Sequence, residues 1–280
     1  MAKTMILYHA GCPDGFGAAW SFFQKYGNSA TYVPVFHGRK PPVVKGCNVF
    51  IVDFCYPLPI MKQIAKDAAS IVVLDHHKTA EATCGDLKYC NFDMTQSGAV
   101  LSWKYVFPNK PVPTILQYIQ DRDLWEWKLP NTEQILSVVD SYDKTFENWN
   151  FLDKKIGDFH SDGWNQTVSS GIQILNYKDS IIKTILSTKH KVNILGDEIV
   201  AVNSSCFQSE LGNILSKNEE YAAVYFYDGQ KYRFSLRSND SGTDVSEVAL
   251  EFGGGGHRNA SGFLVESFED LRNGVIYEYA

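Results

Sequence analysis

The 280-residue chain has no stretch approaching the roughly 20 consecutive apolar residues that a membrane span needs. Its amino-terminal run, MAKTMILYHAG, breaks into polar residues and glycine too early for a signal peptide or an anchor. The expectation is a soluble protein with no membrane partner, placed in the cytoplasm. The six cysteines, Cys12, Cys47, Cys55, Cys84, Cys90 and Cys206, form no CxxC pair and no regular spacing. That excludes a disulfide framework and suits a reduced interior. Positive charge is scarce as well: 26 Lys and Arg face 32 Asp and Glu, and from residue 191 onward 7 basic residues face 14 acidic ones. A surface of that sign repels long duplex nucleic acid. No internal repeat or low-complexity tract is found, and no Ser-His-Asp arrangement suggests a covalent catalyst at Ser97, Ser261 or Cys12.

What is present is an alternation of short apolar runs and helical patterns: TMILYH, then 14–26, ATYVPVF, CNVFIVDF, 58–69 and SIVVLDHH. This predicts an α/β fold with a mostly parallel sheet, whose carboxyl edge collects the polar residues that follow each strand. From residue 96 to about 190 the pattern turns helical. Strand character then returns in DEIVAVNSS, EYAAVYFYDG and KYRFSLRS, with helical patterns at 207–216 and 244–252. The length accommodates two cores. The expected division is a larger domain with its helical connector over 1–190 and a smaller α/β domain over 191–280.

Chemistry-bearing residues stand at the strand ends. YHAGCPDGFGAAW places His9 and Asp14 between a strand and a helix, Asp53 closes VFIVD, and Asp75, His76 and His77 close SIVVL. One carboxylate after a strand is ordinarily a turn or helix cap. Several Asp and His residues at one sheet edge are a metal-ligand set, and mixed oxygen and nitrogen donors suit Mn²⁺, Zn²⁺ or Fe²⁺. Asp121 and Asp123 of QDRDLW close a helical stretch and are further candidates. The segment GGGGHRNASGF, residues 253–263, follows FSLRS with Arg237. Successive glycines free backbone N–H groups to wrap an anion, with Arg237, His257 and Arg258 supplying charge.

With DHH at 75–77 and GGGGHRNASGF roughly 180 residues later, the chain resembles the DHH phosphoesterase superfamily, in the branch carrying a DHH-associated domain. That branch includes nano-RNA hydrolases, single-strand exonucleases and cyclic dinucleotide phosphodiesterases. The resemblance implies that His9, Asp14, Asp53, His76 and Asp121 are metal ligands, with Asp53 bridging two ions and Asp123 the alternative to Asp121. It implies that Asp75 orients the site and His77 faces the scissile phosphate, and that Arg237, Gly254, Gly255, Gly256 and His257 hold the substrate. One departure is visible. The family's first motif carries Asp-x-Asp, whereas this chain has CPD, with Cys12 at the first aspartate's place and one residue fewer between His9 and Asp14. A thiol there either joins the ion as a softer ligand or stands aside and leaves the first ion less firmly held.

The implied activity is a Mn²⁺-dependent phosphodiesterase, with one or two ions and with Mg²⁺ or another divalent ion as substitutes, acting through metal-activated water on short oligonucleotides or linear dinucleotides. His77 and His257 are candidates for protonating the leaving oxygen. A cyclic dinucleotide phosphodiesterase and a non-catalytic nucleotide sensor are the alternatives, with polyphosphate a further substrate that would require more cationic side chains. A homo-oligomer is compatible with the sequence.

Overall fold

The computed structural model describes residues 2–36 and 39–272. In chain order the elements are β1 (Thr4–His9), α1 (Pro13–Tyr26), β2 (Ala30–Val35), β3 (Asn48–Val52), α2 (Leu58–Asp67), β4 (Ser70–Asp75), α3 (Lys78–Cys84), β5 (Cys90–Phe92), α4 (Gly98–Val106), α5 (Thr114–Asp123), α6 (Thr132–Asp140), α7 (Phe146–Ile156) and α8 (Asp162–Leu186). There follow β6 (His190–Ile194), β7 (Asp197–Asn203), α9 (Gln208–Leu215), β8 (Ala222–Tyr227), β9 (Tyr232–Arg237), α10 (Val245–Leu250), β10 (Gly255–His257) and β11 (Ala260–Val265). Among the described residues, no helix is long and apolar enough to cross a membrane.

The first five strands form a sheet in the order β2-β1-β3-β4-β5, every pair parallel. A parallel sheet must be covered on both faces, so its strands are apolar on both sides and rich in β-branched residues. NVFIV and SIVVLD meet that need. Leu7, Val49, Ile51 and Val73 pack on one face with Met61 and Ile64 of α2. Ile6, Val52 and Leu74 pack on the other with Ala18 and Phe22 of α1. The strand order reverses between β1 and β3, and the carboxyl ends flanking such a switch are where ligands bind in open α/β sheets. The short β5 went unread because three residues of CNF carry no periodic signal.

The chain divides into two compact units, Met1–Leu175 and Asn176–Ala280. The division falls inside α8, ahead of the break expected at 190. The physical reason is the core of the second unit, where Ile182, Ile185 and Leu186 pack with Val202, Leu211 and Val224. The second unit is built on a mixed sheet in the order β10-β11-β9-β8-β7-β6, in which only β7 and β8 run parallel.

Candidate metal centre and substrate-binding strand

The carboxyl ends of β1, β3 and β4 bring the strand-end residues together. Asp53 follows β3 with its backbone in the left-handed region, φ 62°, while its N–H donates to Leu74 O at 2.9 Å. For a residue other than glycine that conformation costs about 1–2 kcal/mol. It turns the carboxylate into the space between β1 and β4. Asp53 Oδ2 lies 3.3 Å from His9 Nδ1 and accepts from Cys12 Sγ at 3.3 Å. Asp53 Oδ1 lies 3.2 Å from His76 Nε2 without hydrogen-bond alignment, and is buried with no hydrogen-bond partner.

His76 Nε2 is the hub of the other side, 3.5 Å from Asp14 Oδ2 and 3.5 Å from Asp123 Oδ2. Three groups result, each with ligand atoms within 4.8 Å of one another: His9, Cys12 and Asp53; Asp53, His76 and His77; Asp14, His76 and Asp123. Asp14 is positioned by α4, whose first N–H groups, from Gly98 and Ala99, donate to its two oxygens at 2.7 and 2.9 Å. A carboxylate is favoured at such a helix N-terminus. Ser97, before Gly98, caps the helix, and nothing in the sequence marks Gly98 as part of the site. A Cβ on Gly98 would fall 2.6 Å from Asp53 Cβ, so only glycine lets α4 approach the carboxylate this closely.

The electrostatics are those of a crowded anion cluster. Burial, and then the Asp53 charge, push the Asp14 carboxyl well above the usual range. Burial also raises Asp123, against the pull of His76. Asp53 is penalised by the same burial, but the neighbouring imidazoles of His76 and His9 outweigh this and hold it below the usual range. His76, disfavoured as a cation by burial, is nonetheless raised by Asp53 and Asp123. Three carboxylates with an orphaned buried oxygen, interleaved with imidazoles, are a donor set that a divalent cation fits.

Asp121 is not in this cluster, and the expectation for it is corrected. Its carboxylate points away and accepts from Lys128 N at 2.7 Å, Leu129 N at 3.2 Å and Thr132 Oγ1 at 2.5 Å. It fastens the 124–131 loop and the start of α6, while Asp123, two residues on, faces His76. Asp75 is fully buried, and its Oδ1 accepts from His76 N at 2.8 Å and His77 Nδ1 at 2.7 Å. That hydrogen bond raises the His77 pKa and fixes the ring, which lines a cavity of about 370 Å³ with Phe54, Tyr56 and Thr79. Cys12 is the N-cap of α1, where its Sγ accepts from Gly15 N. The thiol lies 3.2 Å from His9 Nδ1, and burial, with the Asp53 charge, pushes its pKa up.

In the second unit, Arg237 ends β9 and donates to Leu236 O and to Ser209 Oγ of α9, both at 2.8 Å. Gly255 and Gly256 of the glycine run lie in the edge strand β10. β10 pairs antiparallel with β11, setting Gly255 opposite Gly262 and His257 opposite Ala260. Cβ atoms at Gly254 and Gly256 would come within 2.2 Å of Gly262 O and 2.5 Å of Ala260 O, so these glycines serve close strand approach. Ala260 is also the partner of Arg237. Directly opposed residues share a sheet face, so Arg237 and the exposed His257 stand in one row across β11.

A parallel sheet with Asp and His converging at its switch-point edge, followed by a second unit built on a mixed sheet, defines a two-unit α/β protein with a candidate metal centre. Residues 195–276 match the DHHA1 domain family. Over 98% of its length the chain is 33% identical to the uncharacterized protein R106 of Acanthamoeba polyphaga mimivirus, spanning 69% of that protein. It is 28% identical over 69% of its length to the oligoribonuclease NrnB of Bacillus subtilis, spanning 52% of it. A Vibrio pGpG-specific phosphodiesterase, PggH, shares the fold, with TM-score 0.54 and 14% identity over 96% of this chain and 95% of that one. The chain belongs to the DHH superfamily of phosphoesterases, with a carboxyl-terminal DHHA1 domain.

Proposed function

We propose that this protein is a Mn²⁺-dependent phosphodiesterase that hydrolyses short oligonucleotides or linear dinucleotides. The observation that carries the reading is Asp53, whose two oxygens face different ligand groups, Oδ2 toward His9 and Cys12 and Oδ1 toward His76. His9 and Asp53, with Cys12 beside them, would hold one ion; Asp14, Asp53, His76 and Asp123 would hold the other. Ions so placed would lower the pKa of a water and neutralise phosphoryl oxygens during in-line attack. The Asp75 carboxylate accepts a hydrogen bond from His77 Nδ1–H and favours the doubly protonated ring, whose Nε2–H would donate its proton to the departing oxygen. Arg237 and His257, in one row on the DHHA1 sheet, are the second unit's anion-binding side chains. The similarity to NrnB, an oligoribonuclease by name, supports the substrate class.

The test is chromatographic product analysis with Mn²⁺, and with the metal chelated, on pApA, a cyclic dinucleotide and polyphosphate. Conversion of pApA to mononucleotide only with Mn²⁺ is the expected result. Preferred opening of the cyclic dinucleotide would reassign the substrate, and nucleotide binding without turnover of any compound would mean a sensor.

A further inference from the structure

Immediately beyond Asp123 the chain does two costly things in three residues. Trp125 and Trp127 both adopt left-handed backbone, φ 57° and 53°, a region that bulky side chains rarely occupy. Both also leave the core, with Trp125 74% exposed and Trp127 36% exposed. Neither feature comes from a slack loop. Trp125 N donates to Arg122 O at 2.9 Å, Glu126 N to Asp121 O at 2.8 Å and Trp127 N to Asp121 O at 3.3 Å. The Asp121 carboxylate takes the next two N–H groups, from Lys128 and Leu129. A buried acid thus holds the backbone of the whole segment. The two indoles meet edge to face, with centroids 5.1 Å apart and an interplanar angle of 83°, so one ring braces the other and leaves a π-face toward water.

We infer that Trp125, braced by Trp127, is a stacking platform for a nucleobase of the substrate whose phosphate is held at the Asp123 and His76 edge. The inference rests on the proposed phosphodiesterase activity and adds the site that reads the base. Trp125 Cα lies within about 7 Å of Asp123 Cα along the chain, the span of a single nucleotide, and Asp123 Oδ2 is 3.5 Å from His76 Nε2. Every base offers a π-face, so an indole in this place binds any of them with little sequence preference, and base-aromatic stacking suits single strands.

The test compares pApA with the matching abasic phosphodiester for the native protein and for Trp125→Asn, Trp125→Phe and Trp127→Ala. Asparagine tolerates the left-handed backbone better than tryptophan but has no ring, so a loss in that variant reports stacking and not folding. Trp125→Asn should lower kcat/KM on pApA by between about 5-fold and about 150-fold, the range of one lost base stack. The abasic diester should be unaffected, Trp125→Phe should retain most of the activity, and Trp127→Ala should show a smaller loss. Equal losses on both substrates, or none on pApA, would overturn the inference. A second arm does not depend on turnover: adenosine 5′-monophosphate should quench tryptophan emission in the native protein but not in Trp125→Asn, and ribose 5-phosphate should quench neither. A native protein that cleaves neither diester refutes the phosphodiesterase reading, while this titration still decides the stacking. Unchanged emission with the nucleotide refutes the platform.

Discussion

At the scale of single residues, Asp53 combines a left-handed backbone with a buried carboxylate whose Oδ1 has no hydrogen-bond partner. Both costs are recovered if a cation binds. Asp53→Asn keeps size and tolerates the same φ, so it should lower kcat/KM by at least about 100-fold, about 2.7 kcal/mol, while the melting temperature holds or rises as anion crowding is relieved. Wild-type turnover at saturating Mn²⁺ would remove Asp53 from the bridging role. The two acids of DRD should separate cleanly. Asp123→Asn should weaken Mn²⁺ binding in calorimetric titration and leave the melt unchanged, whereas Asp121→Asn should destabilise the fold by about 2–4 kcal/mol, because the buried carboxylate's charge-assisted bonds to two backbone N–H groups and Thr132 are weakened or lost. At Cys12 the expected outcome is a sulfur-to-metal absorption on adding Co²⁺ that disappears in Cys12→Ser; identical spectra would place the thiol outside the coordination sphere. His9, Asp53 and the DHH triplet were legible because each closes an apolar strand, and strand ends collect at one edge. Asp121 and Asp123 were not separable, since both close the same helix and only the loop that folds back onto Asp121 decides which carboxylate faces inward.

Among the elements, α4 does more than cover the sheet. Its first turn delivers two N–H groups to Asp14 and packs against Asp53 through a missing side chain. Gly98→Ala should therefore act on Asp53 directly, since the new methyl would also fall 2.7 Å from Asp53 Oδ1. The added Cβ, 2.6 Å from Asp53 Cβ, must push either the helix or the carboxylate, and displacements of this size in a positioned site cost on the order of 100-fold in rate. Mn²⁺ affinity and kcat/KM should fall together in Gly98→Ala, and an unchanged titration would show that α4 yields instead. The helix itself was visible in SGAVLSWKYVF, and its contact with a strand end over forty residues away in sequence was not, because nothing local encodes it. The strand in the glycine run was not visible either: four glycines carry no strand signal by composition, and only the pairing of β10 with β11 shows that close strand approach demands glycine at 254 and 256. The tryptophans after Asp123 carried no signal of exposure, since an apolar residue near a helix end normally points to the core.

For the whole molecule, charge decides what length of substrate is rewarded. The chain carries a formal charge of −6, and from residue 191 onward, the portion that contains the DHHA1 match, acidic residues outnumber basic ones 14 to 7. A protein that tracks long single strands uses a basic groove, and each phosphate it neutralises steepens the salt dependence of binding by roughly one unit. If Arg237 and His257 form the proposed anion-binding row, an additional phosphate beyond it meets net negative charge, so added length brings repulsion without new contacts. kcat/KM should therefore be highest for substrates of about two to five nucleotides and fall for longer strands, with a logarithmic salt slope no steeper than about 2. Arg237→Ala should raise KM for pApA far more than for a generic ester with a single phosphate, because only the longer ligand uses that contact. Digestion of an end-labelled ladder from two to about twenty-four nucleotides, in Mn²⁺ at two salt concentrations, measures both quantities. Efficiency that rises with length together with a steep salt slope would mean a processive nuclease with a cationic path, and would overturn the short-substrate reading while leaving the metal centre intact.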